Sequence, residues 1–186
     1  MALKTTPAGE LGWTAPPFQL PDANGKMHDL AQLAGEHGTV VAFICNHCPY
    51  VIAIAERLAD DARVLANQGV NVIAVMSNDF HSYPADSPVN MLAFAQRYGF
   101  DFPYLVDESQ EVARAFGAVC TPDFFAYNSK LELQYRGRLD DCRPGASADQ
   151  IANRSTDLLD AMQLIADTGH GPQNQIASAG CSIKWR

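Results

Sequence analysis

Residues 43–50 read F-I-C-N-H-C-P-Y, with Cys45 and Cys48 two residues apart, His47 against the second thiol and Pro49 behind it. Two thiols at this spacing can cycle between a dithiol and an intramolecular disulfide. A C-x-x-C pair beside a βαβ pattern in a chain with no secretory features reads as a redox motif. The apolar, β-branched run Thr39–Ile44 predicts a buried strand, and helical spacing takes over near Cys48. Cys45 is therefore expected at a strand-to-helix turn, facing free N–H groups and the positive end of the helix dipole. Such surroundings move a thiol pKa from about 8.5 to roughly 3.5–7.5. His47 adds a cation or a hydrogen-bond donor. On this reading Cys45 is the exposed nucleophile, and Cys48, one turn into the helix, is the buried resolving thiol. Two thiols close by coincidence is the bland alternative. A structural zinc site wants four ligands, usually as two close pairs, and Cys120, Cys142 and Cys181 are isolated singles. No metal and no organic cofactor is expected.

The elements that must hold this turn follow from the pattern. Asn24-Gly25 between two short segments predicts an N-terminal β-hairpin. After the first buried strand comes a helix over 50–67, with Ile54, Leu58, Ala62 and Leu65 on one face, and Gly69 as its stop. Val70–Met76 is a second buried strand. Ser87-Pro88 opens a helix to about Tyr98. Tyr104–Val106 is a short strand, and 109–116 a short helix capped by Gly117. Asp123–Tyr127 and 131–137 form a second hairpin about Asn128-Ser129-Lys130. A helix is expected over 147–165, then a tail bearing Gly, Pro and Ser. The central alternation demands parallel strands, because these need crossover helices. The expected fold is α/β: a central mixed sheet flanked by helices, in one domain over 1–168 with a C-terminal tail over 169–186.

Composition narrows the partners. The 186 residues carry a formal net charge of −8 and are 47% hydrophobic. No basic cluster appears, which argues against nucleic acid. No apolar stretch reaches the ~18 residues of a membrane helix. The N-terminus lacks an apolar signal region, so the expected compartment is the cytoplasm, where five cysteines rest as thiols.

Several motifs carry a family resemblance. W-T-A-P-P-F-Q-L-P-D-A-N-G-K, residues 13–26, resembles the opening of AhpC/TSA and TlpA-type thioredoxin-like proteins. C-N-H-C-P-Y, S-N-D with Y-P-A-D-S-P, C-T-P-D-F-F, R-G-R-L-D-D and G-C-S-I-K-W-R together resemble the peroxiredoxin-like group of the thioredoxin superfamily across nearly the whole chain. The resemblance implies a thioredoxin-like fold and thiol–disulfide oxidoreductase activity on protein or small-molecule disulfides, with a cellular thiol as reductant. It implies a cis bond at Thr121-Pro122 and a Thr121 backbone free to pair with a substrate strand. Cys120 would lie beside that loop, as a core residue or a third thiol. The pattern departs from two relatives. No alignment on Cys45 or Cys48 supplies the peroxiredoxin P-x-x-x-T-x-x-C motif. Thioredoxin's W-C-G-P-C and its buried aspartate are replaced by Ile44 and Thr39 in the corresponding places.

Two rival readings accompany this one. In the first, a thiol peroxidase oxidises Cys45 to a sulfenic acid that Cys48 or Cys181 resolves. In the second, Cys45, Cys48 and an imidazole bind Cu(I), which favours soft ligands. Cys181, on the tail, is a possible accessory thiol that swings in toward Cys45. The remaining histidines and the pair Asp140-Asp141 are expected to face solvent.

Overall fold

The computed structural model describes residues 3–186. In chain order the strands are β1 (Leu3–Thr5), β2 (Gln19–Pro21), β3 (Met27–Asp29), β4 (Gly38–Phe43), β5 (Val70–Met76), β6 (Tyr104–Val106), β7 (Cys120–Thr121), β8 (Asp123–Tyr127), β9 (Leu133–Gly137) and β10 (Ala179–Ser182). The helices are α1 (Leu30–Leu33), α2 (Pro49–Ala66), α3 (Pro88–Tyr98), α4 (Glu111–Phe116), α5 (Ala148–Ala152) and α6 (Asp157–Thr168).

A five-stranded sheet of order β6-β5-β4-β8-β9 forms the centre. β4 runs parallel to β5, and β5 to β6, whereas β8 and β9 add antiparallel. Every residue of β4 is buried, which is why its sequence is a continuous apolar run and not an alternation. Val40 and Ala42 face one core with α2, α3 and α6; Val41 and Phe43 face the other with α1, α4 and the N-terminal segment. Leu58 and Leu65 of α2 are each 1% exposed. Truncating either to alanine would cost about 2–5 kcal/mol, because the site cannot fully collapse. The central mixed sheet with helices on both faces is the expected fold. The N-terminal hairpin is also present, pairing β2 with β3 around Asn24-Gly25.

Two regions differ from expectation. The helix over 147–165 is broken into α5 and α6. Arg154, in the break, is drawn inward to Asp61 at 2.5 Å and Asp140 at 3.6 Å, and Thr156 stands at the new start, its hydroxyl donating to the Asp160 side chain at 2.9 Å. Asp140 does not face solvent, since Arg57 also holds it at 2.6 Å. The second difference is the tail. Residues 179–182 form β10, which pairs antiparallel with β1 on one side and β7 on the other. Gly180 makes this possible: a Cβ there would sit 2.0 Å from the Thr121 carbonyl oxygen. No helix among the described residues is long and apolar enough to cross a membrane.

Candidate active site

β4 ends at Phe43, and residues 44–48 turn the chain into α2. Pro49 occupies the first helical position, where its fixed φ and missing N–H suit the start of a helix. That makes Cys48 the N-cap, with extended backbone at φ −73° and ψ 122°. The thiol at the helix mouth is thus Cys48, and Cys45 stands three residues before it. This corrects the expectation that Cys48 lies one turn inside. Neither thiol is exposed: Cys45 retains 1% of its surface and Cys48 none.

Thr121 touches both sulfurs. Its hydroxyl is 3.2 Å from Cys45 Sγ, and its carbonyl oxygen 3.2 Å from Cys48 Sγ. The Thr121-Pro122 bond is cis. Thr121 is not free for a substrate strand, because β10 already pairs with it, Cys181 opposite Thr121. This strand also brings the sulfur of Cys181 to 2.8 Å from that of Cys48. Cys181 is therefore not carried on a loose segment, and it meets Cys48 rather than Cys45. Cys120 is fully buried, its sulfur 3.7 Å from the Pro122 carbonyl oxygen. Burial pushes its thiol up to about 12, so it stays protonated.

The surroundings of Cys48 favour its thiolate. Its pKa falls to about 5 because Cys45 donates to it, and Cys181 and the backbone at the head of α2 add to this against the cost of burial. The contact with the Thr121 carbonyl oxygen opposes ionisation. As a thiol, Cys48 is placed to donate to the Thr121 carbonyl oxygen and to Cys181 Sγ; ionised, it would accept from its thiol neighbours, and such thiol–thiolate bonds are charge-assisted. Cys45 is correspondingly raised, by its bond to Cys48, by burial and by Asp86. The pair titrates as a unit.

His47 lies beside the thiols and is supported by a carboxylate that sequence reasoning did not single out. Asp86 is fully buried, in the short 3-10 turn Pro84–Asp86 ahead of α3. It accepts from His47 Nδ1 at 2.7 Å, from Asn78 Nδ2 at 2.8 Å and from the Asn46 amide at 2.8 Å. Burial raises its pKa, yet these bonds hold it below the usual carboxylate value. The Asp86 bond raises His47 in turn, favouring an imidazolium–carboxylate pair beside Cys45. The imidazole also stacks on Tyr83, with centroids 5.7 Å apart and planes 7° apart. The available sequence signal was the fragment Y-P-A-D-S-P. Its spacing from Cys45 carried no chemistry until the loop folded back.

Cys45, His47 and Asp86 offer donor atoms within 4.8 Å of one another. As a metal site the set is poor, because Asp86 is committed to three hydrogen bonds and one of them occupies His47 Nδ1. For Cu(I), the sulfurs of Cys45 and Cys48 and the other imidazole nitrogen are the matching soft and borderline ligands.

A dithiol at a strand-to-helix turn, facing a cis-proline loop from a mixed sheet, defines a thioredoxin-like protein, and solved thiol–disulfide oxidoreductases share the fold at low identity. The chain belongs to the AhpC/TSA family, which it matches over residues 11–166. It is 29% identical over 118 residues to the thiol–disulfide oxidoreductase ResA of Geobacillus thermodenitrificans, covering 62% of each chain. It is 28% identical over 106 residues to peroxiredoxin Bcp of Escherichia coli, covering 57% of this chain and 63% of that one. The chain thus spans somewhat less than two thirds of these curated relatives. A solved hypothetical protein from Sinorhizobium meliloti 1021 is similar over 98% of both chains, at 41% identity and a TM-score of 0.91.

Proposed function

We propose that this protein is a thiol–disulfide oxidoreductase whose reacting group is the Cys45–Cys48 dithiol, with Cys48 as the attacking sulfur. The observation that carries the reading is the placement of Cys48 at the mouth of α2, held as a thiolate near pKa 5 by flanking thiols. This reverses the order of attack drawn from the sequence. Cys48 attacks one sulfur of a substrate disulfide, forms a mixed disulfide and expels the other sulfur as a thiolate. Cys45 then attacks Cys48, giving the Cys45–Cys48 disulfide and releasing the second substrate thiol, which takes up the Cys45 proton. A cellular thiol reopens the disulfide. His47, charged against Asp86, favours the thiolate. The substrates are disulfides and thiols, and the naming of ResA supports that class. We place the reaction in the cytoplasm, as the expected compartment for resting thiols.

The test is acceleration of exchange between dithiothreitol and a disulfide-bonded model peptide. Wild-type protein should accelerate it catalytically and Cys48→Ser should not. Equal rates with and without wild-type protein would sink the proposal.

A second reading, a thiol peroxidase, draws on one observation: both thiols are buried, Cys48 against Cys181 of β10, where hydrogen peroxide passes more readily than a protein disulfide. The family and the Bcp likeness support it; the missing P-x-x-x-T-x-x-C motif counts against it. Peroxide consumption coupled to thiol recycling, at a turnover above that of disulfide exchange, would put this reading first.

A further inference from the structure

Cys48 has two thiol neighbours. Cys45 lies on the same turn, three residues before it, with its sulfur against the Thr121 hydroxyl. Cys181 approaches from β10, sulfur to sulfur at 2.8 Å. All three side chains converge on Thr121: Cys45 on its hydroxyl, Cys48 on its carbonyl oxygen, and Cys181 as its strand partner. The placement of Cys181 is specified by the backbone around it. β10 is seated by pairing on both edges, by the close approach of Gly180 to Thr121, and by Ser178 bonding the Pro122 carbonyl oxygen at 2.8 Å. Beyond it, Lys184 N donates to Asn78 Oδ1 at 2.8 Å, tying the strand to a residue that also bonds Asp86. A disulfide needs sulfurs brought to about 2.05 Å, a short step from 2.8 Å.

We propose that Cys181 is a second resolving thiol of this site, so that Cys48 enters either of two disulfides, Cys45–Cys48 or Cys48–Cys181. The inference rests on the reading of Cys48 as the attacking sulfur. Starting from a mixed disulfide on Cys48, the Cys181 sulfur attacks Cys48 Sγ. The bond from Cys48 to the substrate sulfur breaks, the Cys48–Cys181 bond forms, and the substrate leaves as a thiol with the Cys181 proton. No further oxidant is consumed, because the two oxidising equivalents arrived with the substrate disulfide. The two protein disulfides also interconvert: Cys181 displaces Cys45 from Cys48, and the proton passes from Cys181 to Cys45. In the dithiol state burial and the Cys48 charge hold Cys181 up at about 12. Once Cys48 is in a disulfide that charge is gone, and the brake on Cys181 is lessened. The consequence is a Cys45 freed while the protein stays oxidised, its place in the disulfide taken by Cys181 of β10, the strand that occupies the position expected for a substrate.

The experiment treats wild-type protein, Cys45→Ser, Cys181→Ser and the double variant with glutathione disulfide, followed by acid quench, alkylation and peptide mapping. Wild type should give both disulfide-linked species, with Cys45 alkylated in proportion to Cys48–Cys181. Cys45→Ser should lose any glutathione adduct and hold Cys48–Cys181. The double variant should retain glutathione on Cys48. An adduct that persists on Cys48 in Cys45→Ser, with no Cys48–Cys181 peptide in wild type, would overturn the role of Cys181 while leaving Cys48 as the attacking sulfur. If Cys48 takes no glutathione and joins no disulfide in any of the four proteins, the underlying reading of the site fails and the inference with it. Should Cys45→Ser fail to fold, the wild-type map decides alone: presence of the Cys48–Cys181 peptide, lost in Cys181→Ser, supports the role, and its absence overturns it.

Discussion

Cys142 and Cys48 occupy opposite situations. Cys142 sits half-exposed in the loop after β9, lining a cavity of about 580 Å³ together with Asp141, Arg143 and Asp149. Its thiol is pushed above the ordinary value by partial burial and by Asp140. Cys48 is fully buried and yet ionises near 5. An open cavity therefore does not mark the reactive thiol here. Donors and a helix end do, because the energy of a thiolate depends on what stabilises its charge more than on contact with water.

The comparison can be broken most sharply at the sulfur itself. Cys48→Ser should abolish disulfide exchange, a loss of about 10³-fold or more given that nucleophile removal leaves only residual catalysis, whereas Cys142→Ser should leave the rate within two-fold, on the order of an uninvolved surface change. Loss of exchange in the second variant, or retention in the first, would reverse the contrast.

The next largest effect falls on stability and spares the thiols. Arg154→Ala leaves Asp61 buried without its partner, and Asp61 is already raised by burial with Oδ2 unbonded. Breaking such a pair costs about 3–5 kcal/mol. Denaturant unfolding should show that loss, with the pH dependence of Cys48 labelling unchanged. A shifted labelling profile would mean that the two regions are coupled.

Asp86→Asn joins the regions by a smaller effect. Replacing a hydrogen-bonded buried carboxylate should cost about 1–3 kcal/mol. The pH dependence has a defined sign. Asp86 is lowered in the folded protein, so its contribution is present above about pH 3.9 and lost as pH falls through the folded value. His47 is raised, so its contribution is complete below about pH 6.5 and lost as pH rises through the folded value. The stability gap between wild type and Asp86→Asn should be widest between those limits. A gap that instead grows steadily above pH 7 would contradict the charged His47–Asp86 pair.

The smallest effect concerns relative labelling of Cys48 and Cys142 by a small alkylating reagent. At pH 7 a thiol near 5 is ionised about 100-fold more than one above 9. Its thiolate is intrinsically slower by a roughly similar factor, since nucleophilicity falls with pKa at a slope of about 0.4–0.5. The two rates should then differ little at pH 7, apart from access. Between pH 7 and pH 5.5 Cys48 stays largely ionised while Cys142 loses thiolate, so the ratio of Cys48 to Cys142 labelling should rise roughly 20-fold whatever their access. Parallel pH profiles for the two residues would remove the basis for assigning Cys48 the charge.

Much of the scaffold was legible because its signals are local. Val70–Met76 and Asp123–Tyr127 read as strands from β-branched and aromatic runs, and both are strands with those bounds. Ser87-Pro88 and Gly99 bound α3 through backbone preferences that act within one turn. Cys48 was read one turn too deep at a point where the signal existed: Pro49 at the first helical position makes its predecessor the N-cap. Asp86 could not be found that way, and Cys181, named as an accessory thiol, was assigned the wrong partner. They lie 39 and 133 residues from the partners they touch, His47 and Cys48.

The sequence by itself determined the mixed sheet and the turn that carries Cys45 and Cys48, because both follow from backbone geometry and short-range spacing, whereas the cis-proline loop facing that turn was implied by the family resemblance. Only the tertiary structure decided which thiols surround Cys48, which acid supports His47, and that the C-terminal strand packs against Cys48. Those outcomes depend on distances between groups remote in the chain, and electrostatic and hydrogen-bond energies are set by such distances and by burial, neither of which a linear pattern contains.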